Sequence, residues 1–487
     1  MLLLAGALWI TFVYVRHDQL GWNAASRLCL TYALVDQGSL RIDDYWRQPE
    51  LQTRDVAAFG GHYYCDKIIG TSLLGVPALA AIRLFEHARG FPLSPQHRHW
   101  LVIAFSVALV GAAAGALFFR LTRCYLQELG HSPPVADALA GLATIYTFVG
   151  TMLVLYGGVF FPYLPAIFFL LLALWLIEEE DGWRKDFRGT TVWAFLVGVA
   201  LGAATLCDYL AAWPALCLAI LALSRRPHPA AFLTLAVGGI VSLSPFLLYC
   251  YHIFGRFSVP YEYELEEFFR ASMGRGFMGA TCPNPTVAYL LAFHPYRGIF
   301  YHSPQLLLGI VGGLIGWHCG AKWQMRLVVF FWAFVGLFIY VSAYYMWWGG
   351  WTLAPRLLAV VVPFLAFAVL PALHLHWVQI VGLILGSWAL FLHLIMLFMP
   401  ADFPERPGGA PPESLLYPDL SRYDYPALFA HYLWPKFLLG ETDPSLSDGF
   451  GLSGAAKVLP LAILWLIVAV IFLAPVLRPG QPTTKAT

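Results

Sequence analysis

The chain has 487 residues, 59% hydrophobic and only 12% charged, with a mean hydropathy of +0.68; a water-soluble core cannot absorb that, so the sequence reads as a polytopic membrane protein. Its 29 Lys and Arg are matched by 28 acids, which leaves no basic face dense enough for nucleic acid. Its eight cysteines include no CxxC pair, so neither a zinc site nor a disulfide framework is indicated.

From the N-terminus, Leu2–Val15 is apolar, with no basic flank and no small-residue cleavage site, and reads as a first transmembrane helix rather than a signal peptide. It is short of the roughly 20 residues a full span wants, as though a few were missing upstream. Further apolar runs follow at Trp100–Phe119, Val135–Leu153, Phe161–Ile177, Val192–Thr205, Leu210–Leu223 and Ala231–Tyr251. The series continues with Gly298–Trp317, Leu327–Tyr345, Leu357–Leu373, Trp377–Met399 and Val458–Val476. Together they predict an all-α protein of about twelve spans, with eleven and thirteen as the bounds.

The ambiguous run is Ile68–Ile82, which is uncharged but short and holds Pro77. Loop charge arbitrates. If the run stays on the surface, four successive short loops face the cytoplasm, as the positive-inside rule asks. These carry Arg120 and Arg123, then Arg184, Lys185 and Arg188, then Arg225 and Arg226, then Lys322 and Arg326. If it crosses, all four flip. The expectation is therefore a juxtamembrane or re-entrant helix on the external side of an inner-membrane protein with both termini cytoplasmic. Residues 1–477 then form a single transmembrane unit with external segments 16–99, 252–297 and 400–457, followed by a short cytoplasmic tail, 478–487. External segments of that length are usually functional or disordered; the Pro-rich third reads as a lid or a tether. The GAAAG stretch at Gly111–Gly115 reads as a helix-packing face.

Charges that topology does not account for gather in the first external segment, among them Arg27, Asp43, Asp44, Asp55, Asp66 and Lys67. An acid cluster there suits deprotonation of a hydroxyl, or the holding of a divalent ion such as Mg or Mn, beside cations that receive an anion. The plainer alternative is a solvated loop with surface ion pairs. Position favours the first reading for Asp66 and Lys67, which abut an apolar helix and so belong at headgroup level. In YYMWWGGWTLAPRLL, Tyr344–Leu358, two glycines between Trp348 and Trp351 let the backbone approach something closely. Arg356, just after Pro355, suits a phosphate clamp or a snorkelling belt residue. HPYRGIFYHSPQLL sets Arg297 at the outer end of a span with His302 about a turn deeper, where a histidine more often packs than reacts. Asp208, between two spans, must face protein or a water-filled cavity. YEYELEEFF, Tyr261–Phe269, reads first as a solvated amphipathic face and second as an acceptor site.

Four stretches in order carry a family resemblance: NAASRLCLTYALVDQGSLRIDDY from Asn23, GGHYYCDKIIGTSLLGVP from Gly60, HPYRGIFYHSP from His294 and GGWTLAPRLLAVVVPF from Gly349. They resemble bacterial integral membrane proteins of the GT-C glycosyltransferase superfamily, near the branch of protein O-mannosyltransferases and lipid A aminoarabinose transferase. The likeness is greatest to uncharacterised bacterial members. It implies a polyprenyl-phosphate-sugar donor, an acceptor glycan, lipid or protein, and transfer on the external face. Lys67 would hold the donor phosphate, assisted by Arg27, Arg297 or Arg356. Asp66, His62, Tyr63, Tyr64, His302, Trp348 and Trp351 would support the site. Two departures stand out. The DExRY element of better-known relatives has no acid here, its place being taken by Trp22–Arg27, so the base is expected from Asp43, Asp44 or Asp55. The usual KAPG is KIIG, without the proline that shapes the helix start. No spacing demands a metal or other cofactor.

The reaction expected is an inverting glycosyl transfer. A carboxylate of the first segment accepts the acceptor's proton while the cations stabilise the departing polyprenyl phosphate. The rival readings are a transporter or lipid-linked-sugar flippase, and an inactive relative of the transferases. Transporters tend to keep ionisable groups at the midplane of broken helices in related halves, and no halves are evident here.

Overall fold

The computed structural model describes residues 1–17, 20–182, 186–350, 352–399, 425 and 427–477. Asp18, Arg184, Lys185, Trp351, most of 400–426 and the tail 478–487 lie outside the described residues.

Every apolar run of the sequence carries a helix. In chain order the main elements are α1 Leu2–Tyr14, α2 Trp22–Gln37, the strands β1 Val56–Phe59 and β2 His62–Cys65, α3 Gly70–Arg89, α4 Pro95–Glu128 and α5 Pro133–Phe148. Then come α6 Tyr163–Glu178, α7 Phe187–Cys207, α8 Tyr209–Arg225 and α9 Pro229–Phe254, followed by α10 Pro304–Gly316, α11 Ala321–Ala343, α12 Arg356–Ala372, α13 His376–Leu397 and α14 Gly454–Val476. Six of them, α4, α7, α9, α11, α13 and α14, are long and apolar enough to cross a membrane, and five shorter ones are apolar. This is an α-helical membrane protein whose helices pack mainly through apolar side chains.

Helix direction follows from cross-contacts. The Trp9 indole N–H donates to the Ala104 carbonyl and that of Trp100 to Val13, at 2.8 and 2.9 Å, so α1 and α4 run antiparallel. Gly111 lies against Leu164 and Phe12, and Gly115 against Leu8, so the GAAAG face is the seat of α1 and α6 on α4. A tighter approach went unread in the sequence. Gly198 and Gly202 of α7 meet the backbone of α9 at Leu235 and Gly239, where a Cβ would come within 2.0–2.6 Å of a carbonyl oxygen.

The ambiguous run became α3, and both of its ends stay at one end of the bundle. At its start, a Cβ on Gly70 would lie 2.3 Å from the Leu206 carbonyl oxygen, at the end of α7. At its finish, Glu86 bonds Arg98 and the Leu93 N–H, both at 2.9 Å, beside the start of α4. The finishes of α4 and α6 meet at Tyr125 and Glu178, 3.1 Å apart, and α7 starts beside that finish, Trp193 donating to the Leu176 carbonyl; α7 therefore ends where α4 begins, and α3 lies across that end.

The first long segment also holds a small antiparallel hairpin, which the all-α expectation lacked. Val56 pairs with Cys65 and Phe59 with His62, around Gly60 and Gly61, whose φ values of +59° and +78° suit the tight turn. The second long segment docks on its edge: Leu265 N–H donates to Val56 at 2.9 Å, and Ala57 bridges Glu264.

Candidate functional site

At the end of the bundle carrying α3, a cavity of about 470 Å³ opens between α2, the starts of α6 and α8, the finish of α11 and the turn that precedes α12. Segments 49–55 and 261–278 complete its wall. Its aromatic lining includes Tyr163, Tyr209, Tyr261, Tyr344, Tyr345 and Trp348, and its charged groups are Arg27, Glu50, Asp55, Lys67, Asp208, Glu264 and Arg356.

Lys67, just ahead of α3, is buried and amply countered. Its ammonium lies 3.0 Å from Asp55 and against Asp66, 4.0 Å from Glu264, and over the Tyr261 ring at 5.2 Å. Asp66 also accepts the Ser26 hydroxyl at 2.8 Å. Three carboxylates around one lysine cannot all stay ionised in a buried site. Burial pushes the Glu264 carboxyl well above the ordinary range, the Asp66 charge adds to this, and Lys67 opposes it. Burial acts on Asp66 in the same direction, but Lys67 and the hydrogen bonds from Glu264 and Ser26 outweigh it and hold it below its ordinary value. Asp55 is raised by burial, with Lys67 pulling back. The consistent assignment is two carboxylates, one ammonium and a protonated Glu264 that donates to Asp66. The Lys67 ammonium sits where these acids would otherwise centre a divalent ion, so the donor set does not fit a metal.

The two arginines on the cavity are different. Arg27 is 4% exposed. It donates from Nη1 to the Asn23 carbonyl at 3.1 Å and to the Asn23 side chain, while its Nε–H has no partner. Arg356 donates from Nε to the Gly349 carbonyl and stacks on Phe161 at 5.0 Å. Neither makes an ion pair among the described residues. The backbone that presents Arg356 is special: Gly349 and Gly350 have φ of +77° and +74° and Ala354 has +58°. A Cβ on Gly349 would meet the Arg356 side chain at 2.9 Å. What the two glycines admit is therefore the arginine itself.

Asp208 caps the junction of α7 and α8, accepting the Leu210 N–H at 3.1 Å through Oδ1. Its Oδ2 is buried without a partner, as are the Tyr209 hydroxyl and the Trp348 indole N–H. Burial raises the Asp208 carboxyl above its ordinary value, against the Leu210 N–H, Arg27 and Arg356.

Of the residues expected from sequence, Arg27, Asp55, Lys67, Trp348 and Arg356 line the cavity, and Asp66 lies directly behind it. Asp43 and Asp44 do not line it. Asp43 is engaged by His62 and by the Tyr63 N–H, each at 2.7 Å, and Asp44 by Gln37 at 2.8 Å. Tyr63 packs on Trp46, and Tyr64 on Phe254, so His62, Tyr63 and Tyr64 shape the hairpin. Arg297 is fully buried behind the 348–350 turn, donating to the Trp348 carbonyl at 2.9 Å and to Gly350 at 3.3 Å. His302 is buried against His393, bonded to the Gly298 carbonyl at 2.8 Å, away from the cavity. Trp351 is outside the described residues. Tyr261 and Glu264, which the sequence suggests first as a solvated face and second as an acceptor site, line the cavity.

No family model, curated protein or solved structure matches the chain.

Proposed function

We propose that the protein is a membrane glycosyltransferase that moves a sugar from a polyprenyl-phosphate carrier to an acceptor hydroxyl, with inversion, on the external face of a bilayer that it crosses about twelve times. The observation that carries this reading is the pair of guanidiniums without carboxylate partners, Arg27 and Arg356, on the same cavity as unpartnered polar groups at Asp208, Tyr209 and Trp348. A phosphate supplies only negative charge and acceptors, which suits the arginines and the indole N–H. Sugar hydroxyls supply donors as well, which suits the carboxylate oxygen. The aromatic lining offers flat faces for a sugar ring, and α3 across the bundle end keeps the site beside lipid.

In this reading Arg27 and Arg356 receive the carrier phosphate and stabilise it as it departs. Lys67, on the cavity wall but surrounded by acids, organises the pocket instead of meeting the phosphate directly. Arg297 fixes the turn that aims Arg356. Of the acids expected in the first segment, Asp55 is the one on the cavity.

The test is purified protein in lipid nanodiscs with undecaprenyl phosphate bearing labelled pentoses and hexoses. Wild type is expected to consume at least one donor, and Arg27→Ala and Arg356→Ala to lose that activity while remaining folded. No binding or consumption of any donor, or vesicle uptake of a solute without donor consumption, would overturn the reading in favour of transport.

A further inference from the structure

The acid that accepts the proton is a separate question from the one that binds the donor, and the geometry narrows it. Among the acids of the first segment, Asp43 and Asp44 do not line the cavity. Asp55 is bound to Lys67 at 3.0 Å, and Asp66 to Lys67 and Ser26. Glu264 reaches the cavity, but burial and the Asp66 charge raise its carboxyl well above the ordinary range and so favour its protonated form. Glu50 also reaches it, from a half-buried position on the loop. Among the described residues, Asp208 alone combines a place on the wall, 7% exposure, an oxygen fixed by a backbone N–H, and a second, buried oxygen without a protein partner.

We propose that Asp208 is the catalytic base of the transfer, taking the acceptor's hydroxyl proton on Oδ2. The inference rests on the glycosyltransferase reading. In the step, the acceptor oxygen forms a bond to the anomeric carbon as its O–H proton passes to Asp208 Oδ2. The bond from that carbon to the carrier phosphate oxygen breaks, and its electron pair stays on the phosphate. The products are the glycoside, a neutral Asp208 and polyprenyl phosphate with one more negative charge, held by Arg27 and Arg356.

The setting gives this base a built-in order of events. The charged groups facing Asp208 are Arg27 from α2 and Arg356 from the start of α12; the hydroxyls of Tyr163 on α6 and Tyr340 on α11 also approach. Neither arginine contacts Asp208 as an ion pair, so both act on it through space. While the donor site holds no anion, their charge suppresses its proton affinity. A bound carrier phosphate answers the two guanidiniums and releases that suppression, so Asp208 becomes a stronger base when the donor is in place. Protonation then removes a negative charge from beside the departing phosphate.

The test compares wild type, Asp208→Asn and Asp208→Glu in nanodiscs, with carrier binding measured using undecaprenyl phosphate alone and transfer measured with the labelled donor that wild type consumes. Asp208→Asn is expected to bind the carrier within about threefold of wild type and to lose kcat by roughly 10²- to 10⁴-fold, the usual span for a general base. The acidic limb of its pH–rate profile should vanish, and in a further variant, Asp208→Gly, added formate should restore transfer to the acceptor. Asp208→Glu should keep partial activity with a displaced acidic limb; this carries the test if the Asn variant does not fold. Transfer by folded Asp208→Asn at more than a third of the wild-type rate, or an Asp208→Glu profile identical to wild type, would overturn the inference while leaving the donor site standing. Failure of wild type to consume any donor would instead overturn the reading on which it rests.

Discussion

The two ends of the helix bundle treat buried arginine in opposite ways. At the end away from the cavity, roughly 22 Å along α6, Arg326 is 1% exposed and fully engaged. It meets both oxygens of Glu178, at 2.8 and 2.7 Å, and Glu128 at 2.8 Å, while lying over the Tyr125 ring. Glu178 is shared further with Arg225, at 3.5 Å. At the cavity end, Arg27 is nearly as buried yet meets no carboxylate among the described residues. Desolvating a guanidinium costs several kcal/mol unless a partner offsets it. Arg326 is answered by carboxylates of the chain; Arg27 is answered only by the neutral Asn23, which leaves its charge without a counter-charge among the described residues.

The sharpest way to break this contrast is to delete the arginines one at a time. Arg326→Met leaves Glu178 buried beside Tyr125 without its main partner, and should lower the unfolding free energy by roughly 3–5 kcal/mol. Arg27→Met removes a charge that no carboxylate answers, so stability should hold or rise. Thermal unfolding in one detergent compares them directly. Equal losses would mean that Arg27 is as structural as Arg326.

Binding should show the reverse order. A charge-assisted hydrogen bond contributes about 1.5–3 kcal/mol, so Arg27→Ala and Arg356→Ala should each weaken undecaprenyl phosphate binding by roughly 10- to 100-fold. Arg326 variants, assayed at a temperature where they remain folded, should bind as wild type. An unchanged affinity in both cavity variants would detach the phosphate from the unpaired arginines.

The contrast also shows what the sequence could and could not reveal. Long apolar runs were enough for the helices, because a helix in lipid announces itself by composition. Arg27, Lys67, Trp348 and Arg356 were legible because each abuts an apolar run at the same side. Their pairing was not. Nothing local in DK says that Asp55 and Glu264, 12 residues upstream and 197 downstream, will crowd one lysine, or that His62 will engage Asp43. Those contacts depend on the hairpin and on the docking of a distant segment, both set by tertiary packing. Asp208 could be placed near water from its position, but its unpartnered oxygen is visible only in three dimensions.

The docking of α3 at the cavity end gives a smaller effect. Gly70 has no room for a side chain, because a Cβ would press on the backbone of Leu206 and Cys207. Gly70→Ala should cost about 1–3 kcal/mol, as overpacking usually does, and should loosen Lys67, three residues away. A variant as stable as wild type in thermal unfolding would show that α3 is not seated on α7.

The mildest test bears on the charge count around Lys67. Glu264 has a folded-state pKa raised above its ordinary 4.5, chiefly by burial and then by Asp66. Below about pH 4.5 both folded and unfolded chains hold the proton, and the group contributes no pH dependence. Above it, the unfolded chain releases the proton while the folded chain keeps it. The unfolded state then binds fewer protons, and stability falls with rising pH by up to about 1.4 kcal/mol per unit until the folded group titrates. Glu264→Gln keeps a donor for Asp66 but cannot ionise, so it lacks this slope. The variant should match wild type near pH 5 and become progressively more stable than it towards pH 8, in thermal unfolding measured across that range. Parallel profiles would mean that Glu264 is already ionised beside Asp66, and that the cavity end carries one more negative charge to set against Arg27 and Arg356.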